Sequence, residues 1–579
     1  MIISNNYIWG SLSLRVFLDN HKKKFKGRAR HSNIFVRGDW ILDYNLKTNA
    51  DLISFNEQLN KIYLKYLLNG KDYERKIIYF KNKIIDETTL PDSSYSITPK
   101  FLTSFHFRKW KIGHVKQKKI IQNKNNFYKK GLDNIIRSFT KEISEDGKKL
   151  VITINDLFPE NYKKIDEIPE LNFKNKIFKN VYNQSMKSLL KLISYIPYKN
   201  EFKKNILAGY PFFPSVFGRD TDIANFALVY YYPELVKDNI EFRLNNLGNR
   251  EHVYTAEEKG KALHEFPFDE LTNAFLLKNF PNYIGCDESP LLMISILRYD
   301  RITKDHSLVN KNKTKMKQLW DYIKQNEKEG LIGFKGDIKE NNNYVYFTWN
   351  HTWRDNNKTI CNPDGSLPKQ PLYALWDQTC LFGMYKEFEM NDNPSLKKFI
   401  KVDIKKKIKD LKKKIDELYW MEDKQGYALA LDKNFDKVEI VNSDVVLGLY
   451  YKLFDNYKVR KMIYHTLENT TRLRDKYGLR TVSKEHKIYD IHGYHLGAVW
   501  PWQNAFAILG YSNYGYYKEA RSMVYSTLQA ITKLQSAYEV IEPDHINPHP
   551  RKNSCEIQAW TASVIPLIVK EFDLKKYFR

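Results

Sequence analysis

The spacing of the apolar residues changes near residue 175, and this change constrains the fold more than any other feature of the chain. Before it, short runs rich in β-branched and aromatic residues are separated by polar turns, as in Ser32–Val36, Trp40–Tyr44, Arg75–Phe80, Lys83–Asp86 and Leu150–Ile154. Short strands at this spacing predict a β-sandwich. After it, apolar residues recur three and four positions apart, which predicts helices.

The helical part begins with an apolar stripe from Phe178 to Ile193, which we expect to link two domains. A chain of 579 residues is too long for a single core. Beyond residue 205, helices of about 11–12 residues leave room for about a dozen, as an all-α barrel of two concentric rings requires. The predicted domains are a β-rich domain at 1–170, a helical linker at 171–204 and the barrel at 205–579.

The formal net charge of +26 raises the question of a nucleic-acid partner. Proteins that bind nucleic acids usually concentrate positive charge on one face, whereas lysine is spread over this whole chain. The clearest basic segment, Ile404–Leu418, places Lys between apolar residues at helical spacing and is best interpreted as the solvated face of a helix. We therefore expect no nucleic-acid partner.

Composition also bears on location and cofactors. No stretch approaches the roughly 20 apolar residues of a membrane span, and the start at Met1–Asn6 lacks the pattern of a signal peptide, so a cytoplasmic protein is expected. No phosphate-binding or dinucleotide-binding glycine motif is present, and we expect no cofactor and no metal. The cysteines are too far apart to suggest a zinc site or a disulfide framework: Cys286, Cys361, Cys380 and Cys555.

The segment from Pro211 to Asp222 has the composition of a sugar-binding site. Phenylalanines precede Gly218, and an Arg219-Asp220 pair follows it. An arginine and a carboxylate can bind two neighbouring hydroxyls, one by donating and the other by accepting hydrogen bonds. Aromatic rings offer flat apolar faces to the C–H surface of a sugar.

Asp355, in the segment Trp349–Asn357, is the first candidate for a catalytic carboxyl. Glycoside hydrolysis needs one protonated and one ionised carboxyl across the bond that breaks. A neighbouring Trp353 would remove water from Asp355 and raise its pKa, which suits a general acid. The alternative interpretation is a helix N-cap beside a buried tryptophan.

The segment Tyr538–His545 supplies the second candidate. Glu539 and Glu542 both lie in this proline-flanked stretch and compete for the role of general base. The alternative is an acidic residue on a surface loop.

Further polar residues could bind a substrate. Lys261, His264 and Glu265 follow a glycine turn and could hold sugar hydroxyls, although a structural histidine is the alternative. The sequence His-Glu-Phe-Pro-Phe is not the H-E-x-x-H of a zinc protease. Asp287 precedes a Ser-Pro helix start and could instead be an N-cap.

His495 and Trp500 lie together in Tyr494–Asn504, a segment with two tryptophans and a proline. They are candidates for a stacking surface at a sugar site. Large aromatic residues are mostly buried, so core packing is the alternative interpretation.

Taken in order, these segments resemble the amylo-α-1,6-glucosidase, or glycogen debranching, family of bacteria and archaea. The resemblance covers roughly residues 205–570, while the opening Ser4–Gly10 is only loosely similar. Six motifs in the same order as in the family carry it: Phe217–Thr221, Gly260–Glu265, Asp287–Leu291, Trp353–Asp355, Tyr494–Pro501 and Cys555–Thr561.

The resemblance implies an (α/α)6 barrel with a site at one open end. It implies Asp355 as general acid, Glu539 as general base, and Arg219 with Asp220 as the residues that hold a terminal glucose. An inverting mechanism places a water between sugar and base, with the carboxyls about 6.5–9.5 Å apart. The other predicted substrate-binding residues are Lys261, His264, Glu265, Asp287, Trp353, His495 and Trp500.

The leading functional hypothesis is an inverting hydrolase that releases glucose from glycogen branch stubs or malto-oligosaccharides, so a carbohydrate is the expected partner. Asp377 stands where relatives often have glutamate, which puts α-1,6 preference in doubt. Trehalose, glucosylglycerate or mannosylglycerate are alternative substrates. A barrel phosphorylase, which uses phosphate instead of a base, and a non-catalytic glucan-binding protein are the other hypotheses.

Overall fold

The fold was analysed in a computed structural model. It describes residues 12–572 except 15–17, 20–23, 26–30, 37–38, 59–60, 81–82, 104–118, 131–135, 155–164, 166, 199–200, 211, 269–278, 337–338, 341–342, 345–348, 357 and 400–401. The turn predicted at 81–82, residues 37–38 of the turn predicted at 37–39, and the opening motif Ser4–Gly10 lie outside the described residues, while Asp39 begins a strand.

The N-terminal region is built from β-strands, as the alternating runs predict. In chain order the strands are β1 (Leu12–Leu14), β2 (Leu18–Asp19), β3 (Lys24–Phe25), β4 (His31–Val36), β5 (Asp39–Lys47), β6 (Asp51–Gln58), β7 (Lys61–Leu68), β8 (Lys71–Phe80), β9 (Lys83–Thr88), β10 (Ser94–Thr103), β11 (Ile121–Asn123), β12 (Asn126–Lys130), β13 (Ile136–Ile143) and β14 (Lys149–Ile154).

These strands form two large antiparallel sheets. One has the order β1-β4-β5-β10 and the other the order β11-β12-β13-β14-β9-β8-β7-β6. Both contribute to one hydrophobic cluster, in which Leu42 and Tyr44 of the first sheet join Ile84 of the second. The hydroxyl of Tyr95 on β10 also donates to the side chain of Asp86 on β9 at 3.0 Å. The prediction of a β-rich N-terminal region is confirmed.

The predicted linker at 171–204 is only partly helical. Helix α1 (Lys176–Leu192) begins after Asn175, whose side chain accepts a hydrogen bond from the backbone N–H of Phe178. A hairpin of β15 (Ile193–Tyr198) and β16 (Glu201–Ile206) then replaces the helix. The physical reason is local, because isoleucine and tyrosine favour strands and the proline in β15 cannot continue a helix.

The remainder of the described chain is mainly helical. After α1 the helices are α2 (Gly218–Leu228), α3 (Pro233–Asn245), α4 (Glu288–Thr303), α5 (Ser307–Lys311), α6 (Lys313–Asn326), α7 (Leu375–Met390), α8 (Pro394–Phe399), α9 (Ile404–Leu418), α10 (Val446–Tyr450), α11 (Asn456–Met462), α12 (Pro501–Asn513), α13 (Tyr517–Leu534), α14 (Ala559–Ala562) and α15 (Val564–Glu571). A 3₁₀ turn (Val253–Thr255) and a π-helical turn (Ile463–Leu467) accompany them.

Short strands in the loops complete this part. They are β17 (Gly209–Tyr210), β18 (Val216–Phe217), β19 (Glu265–Phe266), β20 (Glu327–Lys328), β21 (Leu331–Ile332), β22 (Lys339–Glu340), β23 (Asn343–Tyr344), β24 (Tyr373–Ala374), β25 (Trp420–Met421), β26 (Gly426–Tyr427), β27 (Ala430–Leu431), β28 (Lys437–Val438), β29 (Arg474–Asp475), β30 (Gly478–Leu479), β31 (Ile541–Glu542), β32 (His549–Pro550) and β33 (Ile557–Gln558).

The helix contacts close into a ring. α2 contacts α4, α4 contacts α7, α7 contacts α10, α10 contacts α12, α12 contacts α15, and α15 returns to α2. A second layer packs outside it: α3 and α6 against α4, α9 against α7, α13 against α12, and α1 against α15. The ring helices α2, α4, α7 and α12 are buried nearly all round, whereas α9 buries only Leu411 and Ile415 and faces its lysines outward.

No helix in the described part of the chain is both long enough and apolar enough to cross a membrane.

Candidate active site

A cavity of about 270 Å³ opens where the N-terminal ends of the ring helices meet the loops that precede them. Helix α2 presents Arg219 and Asp220 from its first turn, Trp500 immediately precedes α12, and Gln558 immediately precedes α14. The cavity is therefore assembled from positions far apart in the chain. Its volume is close to the lower end of the range of small-molecule sites, about 300–1,000 Å³.

Most of the predicted site residues line this cavity. Both predicted catalytic carboxyls and seven predicted substrate-binding residues are on its wall: Asp355, Glu539, Arg219, Asp220, His264, Glu265, Trp353, His495 and Trp500.

Asp287 and Lys261 lie elsewhere, in contrast to their predicted roles as substrate-binding residues. Asp287 is fully buried behind Arg219 and binds its guanidinium through both oxygens, at 2.6 and 2.9 Å. Lys261 belongs to a neighbouring cavity and pairs with Glu258 at 2.7 Å. Asp287 thus positions a residue of the wall, and Lys261 faces away from it.

Arg219 and Asp220 do not bind each other. Arg219 is held by Asp287, and its Nη1 atom lies 3.8 Å from Oδ2 of Asp355. Asp220 accepts a hydrogen bond from Nε2 of Gln558 at 2.5 Å. Burial and the charge of Glu539 raise the pKa of Asp220 well above its usual value. The two side chains therefore reach the cavity as separate groups, one cationic and the other able to carry a proton.

Asp355 sits between cationic and polar neighbours at the cavity wall. Burial raises its pKa, but His495, Arg219 and His264 outweigh this effect, so that the pKa is lowered below its usual value, and the increase predicted from the neighbouring Trp353 is wrong. Nε2 of His495 is 3.6 Å from Oδ1 of Asp355. With 32% of its side chain exposed, Asp355 is the carboxyl nearer to solvent.

Glu539 is the buried carboxyl of the pair, with 1% of its surface exposed. Its Oε1 accepts from the hydroxyl of Tyr494, and its Oε2 accepts from the backbone N–H of Cys555 at 2.9 Å. Burial raises the pKa of Glu539 to about 7, because it exceeds the opposing effect of the two donors, and the charge of Asp355 adds to it. Two fixed donors orient this carboxyl within the cavity.

The structure also separates Glu539 from Glu542, which the sequence left as competitors. Glu542 is absent from the cavity wall and lies on β31 among histidines. Glu539, in contrast, lines the cavity and accepts a hydrogen bond from the hydroxyl of Tyr494.

A buried ion-pair network supports the wall from behind. Nδ1 of His264 lies 2.7 Å from Oε1 of Glu288, and Glu288 also pairs with Arg243 at 3.0 Å. Arg243 in turn pairs with Asp222 of helix α2. This network fixes the ring of His264 relative to the first turn of α2.

Arg354 ties two loops of the site together. It is fully buried, binds Asp444 bidentately, and donates to the backbone carbonyl of His495 at 2.6 Å and of Thr481 at 2.8 Å. Because Arg354 directly precedes Asp355, these bonds fix the position of the carboxyl next to His495.

Aromatic rings form the floor of the cavity. Trp353 contacts the rings of His495 and Trp500 edge-on, at centroid distances of 5.0 and 5.6 Å. His495 and Trp500 themselves stack at 5.1 Å. Trp560 joins this group at 5.4 Å from Trp500.

Several buried polar atoms of this wall have no hydrogen-bond partner in the described part of the chain. They are Nε1 of Trp353, Nε1 of Trp560, both ring nitrogens of His495 and Oε1 of Gln558. A buried polar group without a partner costs about 1–3 kcal/mol. A ligand with many hydroxyls would satisfy such a wall.

Segment 397–550 can be compared with known families. It matches the mannosylglycerate hydrolase MGH1-like glycoside hydrolase domain. The matched segment contains His495, Trp500 and Glu539, and Asp355 lies before it.

Crystal structures of the GH63 mannosylglycerate hydrolase from Thermus thermophilus are also similar. Three of them are complexes, one with Tris and D-glycerate, one with glucose and one with Tris. In each case the match covers 67% of this chain and 100% of the other chain at 10% sequence identity. The TM-scores are 0.48, 0.48 and 0.45 in that order. No curated protein matches the chain. The family match of residues 397–550 supports the prediction of a glycoside hydrolase, and it gives no support to glycogen debranching.

Sequence reasoning missed eight residues of the wall: Ala208, Phe213, Phe217, Ile284, Asn356, Tyr494, Gln558 and Trp560. Phe213 and Phe217 lie in the segment Pro211–Asp222, Asn356 follows Asp355, and Tyr494, Gln558 and Trp560 belong to the last two motifs. Those segments were recognised, but only the fold shows which side chain of each segment faces the cavity. Asp377, which differs from the glutamate of relatives, does not line the cavity. It is fully buried and accepts a hydrogen bond from the hydroxyl of Thr352 at 2.7 Å.

Proposed function

We propose that this protein is an inverting glycoside hydrolase that removes a terminal sugar from a small α-glycoside. The observation that carries the proposal is the placement of Asp355 and Glu539 on one cavity wall, together with Arg219 and an aromatic floor. Two carboxyls with different environments are the minimum requirement for acid and base catalysis at one glycosidic bond.

The proposed fold is that of an (α/α)6 barrel preceded by a β-sandwich. The closed contacts of α2, α4, α7, α10, α12 and α15, with helices packed outside them, support the barrel. The shared hydrophobic cluster of the two N-terminal sheets supports the sandwich.

We assign Asp355 as the general acid and Glu539 as the general base. We place the departing group on the solvent side of the cavity and the terminal sugar deeper. The acid must reach the departing oxygen, and Asp355 is 32% exposed, whereas Glu539 is 1% exposed. A substrate that fills the cavity would remove water from Asp355, which favours its protonated form.

The proposed reaction follows from these positions. Asp355 donates its proton to the glycosidic oxygen while the bond from that oxygen to C1 breaks. Glu539 takes a proton from a water, whose oxygen attacks C1 from the opposite face. The products are the free alcohol and a sugar with inverted C1 configuration. Arg219 and the aromatic floor hold the sugar during this step.

A small glycoside of glyceric acid is the first substrate choice. The matched domain family carries the name of mannosylglycerate hydrolase, and a cavity of about 270 Å³ suits a short ligand better than a branched polymer. Mannosylglycerate and glucosylglycerate therefore rank before trehalose, malto-oligosaccharides and glycogen branch stubs.

The test is sugar release from this panel by the full chain, in phosphate-free buffer, followed by proton NMR of the first product formed. Turnover of a glycerate glycoside with inversion supports the proposal. The variants Asp355→Asn and Glu539→Gln should each lose about 10²–10⁴-fold in kcat and keep the circular dichroism of the wild type. Tight binding without turnover by the wild type would instead indicate a sugar-binding protein.

A further inference from the structure

A group of histidines surrounds Glu542 on the hairpin that follows Glu539. Oε2 of Glu542 lies 2.9 Å from Nδ1 of His549 and 3.5 Å from Nε2 of His545. Oε1 of the same carboxylate lies 3.0 Å from Nδ1 of His492. The three potential ligand atoms of Glu542, His545 and His549 all lie within 4.8 Å of one another.

The spacing of these atoms suits a transition metal. Zinc binds imidazole nitrogen at about 2.0–2.1 Å and carboxylate oxygen at about 2.0–2.2 Å, so that neighbouring ligand atoms of a tetrahedral site are about 3.3–3.5 Å apart. The separations of 2.9 and 3.5 Å around Oε2 need changes of only a few tenths of an ångström, and the third separation, between the nitrogens of His545 and His549, is within 4.8 Å, so the two rings would have to move together on binding. Imidazole with carboxylate is a donor set that zinc and its neighbours in the first row accept.

Nε2 of His545 gives a second, independent indication. The atom is buried and makes no hydrogen bond within the described residues, although it points toward Glu542. A buried ring nitrogen without a partner needs an explanation, and a metal ion would supply its missing contact.

The loop that carries His545 is fixed by contacts on its other side. The carboxylate of Asp544 accepts from Arg480 at 2.6 Å and from the hydroxyl of Tyr489 at 2.6 Å. The hydroxyl of Tyr477 donates to the backbone carbonyl of Ile546 at 2.7 Å. The ligand positions are therefore held before any metal arrives, which reduces the entropy that binding must overcome.

We propose that Glu542, His545 and His549 bind a divalent transition-metal ion, tested here as Zn²⁺, with His492 as the hydrogen-bond partner of the carboxylate ligand. A carboxylate ligand is ordinarily held by such an outer partner. Water would fill the remaining coordination position.

The position of this metal site suggests its role. Glu542 lies three residues after Glu539, and His492 lies two residues before Tyr494, whose hydroxyl donates to Glu539. Arg551 already joins these loops, because its Nε donates to the backbone carbonyl of His492 at 2.8 Å. The metal would clamp the loop of Glu539 to the loop of Tyr494 without touching the cavity.

The competing interpretation is a set of charged histidines paired with Glu542. Burial raises the pKa of Glu542, but the hydrogen bond from His492 and the charges of His549 and His492 outweigh it and lower the pKa. That interpretation requires no metal and predicts no saturable zinc binding.

The experiment titrates chelator-treated full chain with ZnCl₂ by calorimetry. We expect one ion per chain, with saturation below about 10 µM. The double variant His545→Ala/His549→Ala should bind at least about 100-fold more weakly, since loss of an outer partner alone costs about 10–100-fold. Glu542→Gln keeps the size of the side chain and should also weaken binding. His465→Ala, which alters an exposed histidine of the π-helical turn, should bind like the wild type.

Hydrogen exchange provides a readout that does not depend on turnover. Zn²⁺ should slow exchange of the backbone amides at 490–496 and 540–550 in the wild type and in His465→Ala, but not in the double variant. The metal site is overturned if the wild type shows no saturable binding of Zn²⁺. It is also overturned if the double variant and Glu542→Gln both bind Zn²⁺ as tightly as the wild type. Binding with unchanged exchange at 490–496 overturns the clamp.

Discussion

Removal of the Tyr494 hydroxyl gives the sharpest test of the proposed catalytic pair. The two carboxyls titrate as one coupled system, and the active form must hold one proton. The pKa of Glu539 is about 7, whereas that of Asp355 lies below the usual value of about 3.9. Most singly protonated molecules therefore hold the proton on Glu539, and only a small fraction hold it on Asp355, where the proposed acid needs it.

The Tyr494→Phe substitution removes a donor to the ionised form of Glu539 and keeps the aromatic ring. A hydrogen bond to a charged group contributes about 1.5–3 kcal/mol, which at 1.36 kcal/mol per unit raises the pKa of Glu539 by about 1–2 units. The fraction with its proton on Asp355 then falls by about 10–100-fold. In the wild type the pair loses its single proton as pH rises through the Glu539 pKa, at about pH 7. In Tyr494→Phe the same deprotonation should occur at about pH 8–9.

The assay is kcat/KM from pH 5 to 10, because this parameter reports the pKa values of the free enzyme. We expect a plateau about 10–100-fold lower and an alkaline limb displaced upward by about 1–2 units. Tyr489→Phe is the matched control, since its hydroxyl also donates to a carboxylate, that of Asp544 at 2.6 Å, outside the cavity. It should change neither feature.

Other combinations of plateau and limb would assign different roles to Tyr494 or Glu539. If the limb moves while the plateau stays within about threefold, Glu539 is the acid and the roles are reversed. If the plateau falls while the limb stays in place, Tyr494 acts on substrate binding and does not set the charge of Glu539. If neither changes, the proposed dependence of catalysis on Glu539 is refuted.

Three further substitutions test the support of the cavity. Asp287→Asn removes the carboxylate that binds the buried guanidinium of Arg219 through both oxygens and should cost up to about 3–5 kcal/mol of stability, visible as a lower melting temperature together with a lower kcat/KM. Gly218→Ala places a methyl group against the carboxylate of Glu288 at the start of α2, so both stability and kcat/KM should fall. Lys261→Ala should leave kcat/KM within about threefold, because Lys261 faces another cavity.

Matched controls separate these effects from general damage. Asp377 is also fully buried, and burial raises its pKa well above the usual value, but its carboxyl accepts from the hydroxyl of Thr352 and not from a guanidinium, so Asp377→Asn should cost less than Asp287→Asn. A methyl group at Gly426 meets only ordinary contact distances, so Gly426→Ala should melt like the wild type. If Asp287→Asn or Gly218→Ala keeps the stability and activity of the wild type, the supporting role given to that residue is wrong. If Lys261→Ala loses much of its kcat/KM, Lys261 contributes to the active site after all.

The fold could be predicted where the pattern is local. The strands at 32–36 and 150–154 lie within β4 and β14, and the helix expected from Ile404 to Leu418 has those bounds. The end of the linker was predicted less well, because a hairpin after α1 depends on strand pairing as much as on the helical stripe before it.

The sequence by itself determined that chemistry-bearing motifs recur along the chain, some at the start of a helix, as with Arg219 on α2 and Trp500 before α12, and others in loops, as with Asp355 and Glu539. Only the tertiary structure decided which motif residues meet. Closure of the ring brings the helix N-terminal ends to one place, which selects Glu539 over Glu542 and puts Asp287 behind the wall. Spacing within one helix is fixed by local geometry, whereas contacts between helices 50 or more residues apart depend on packing of the whole ring.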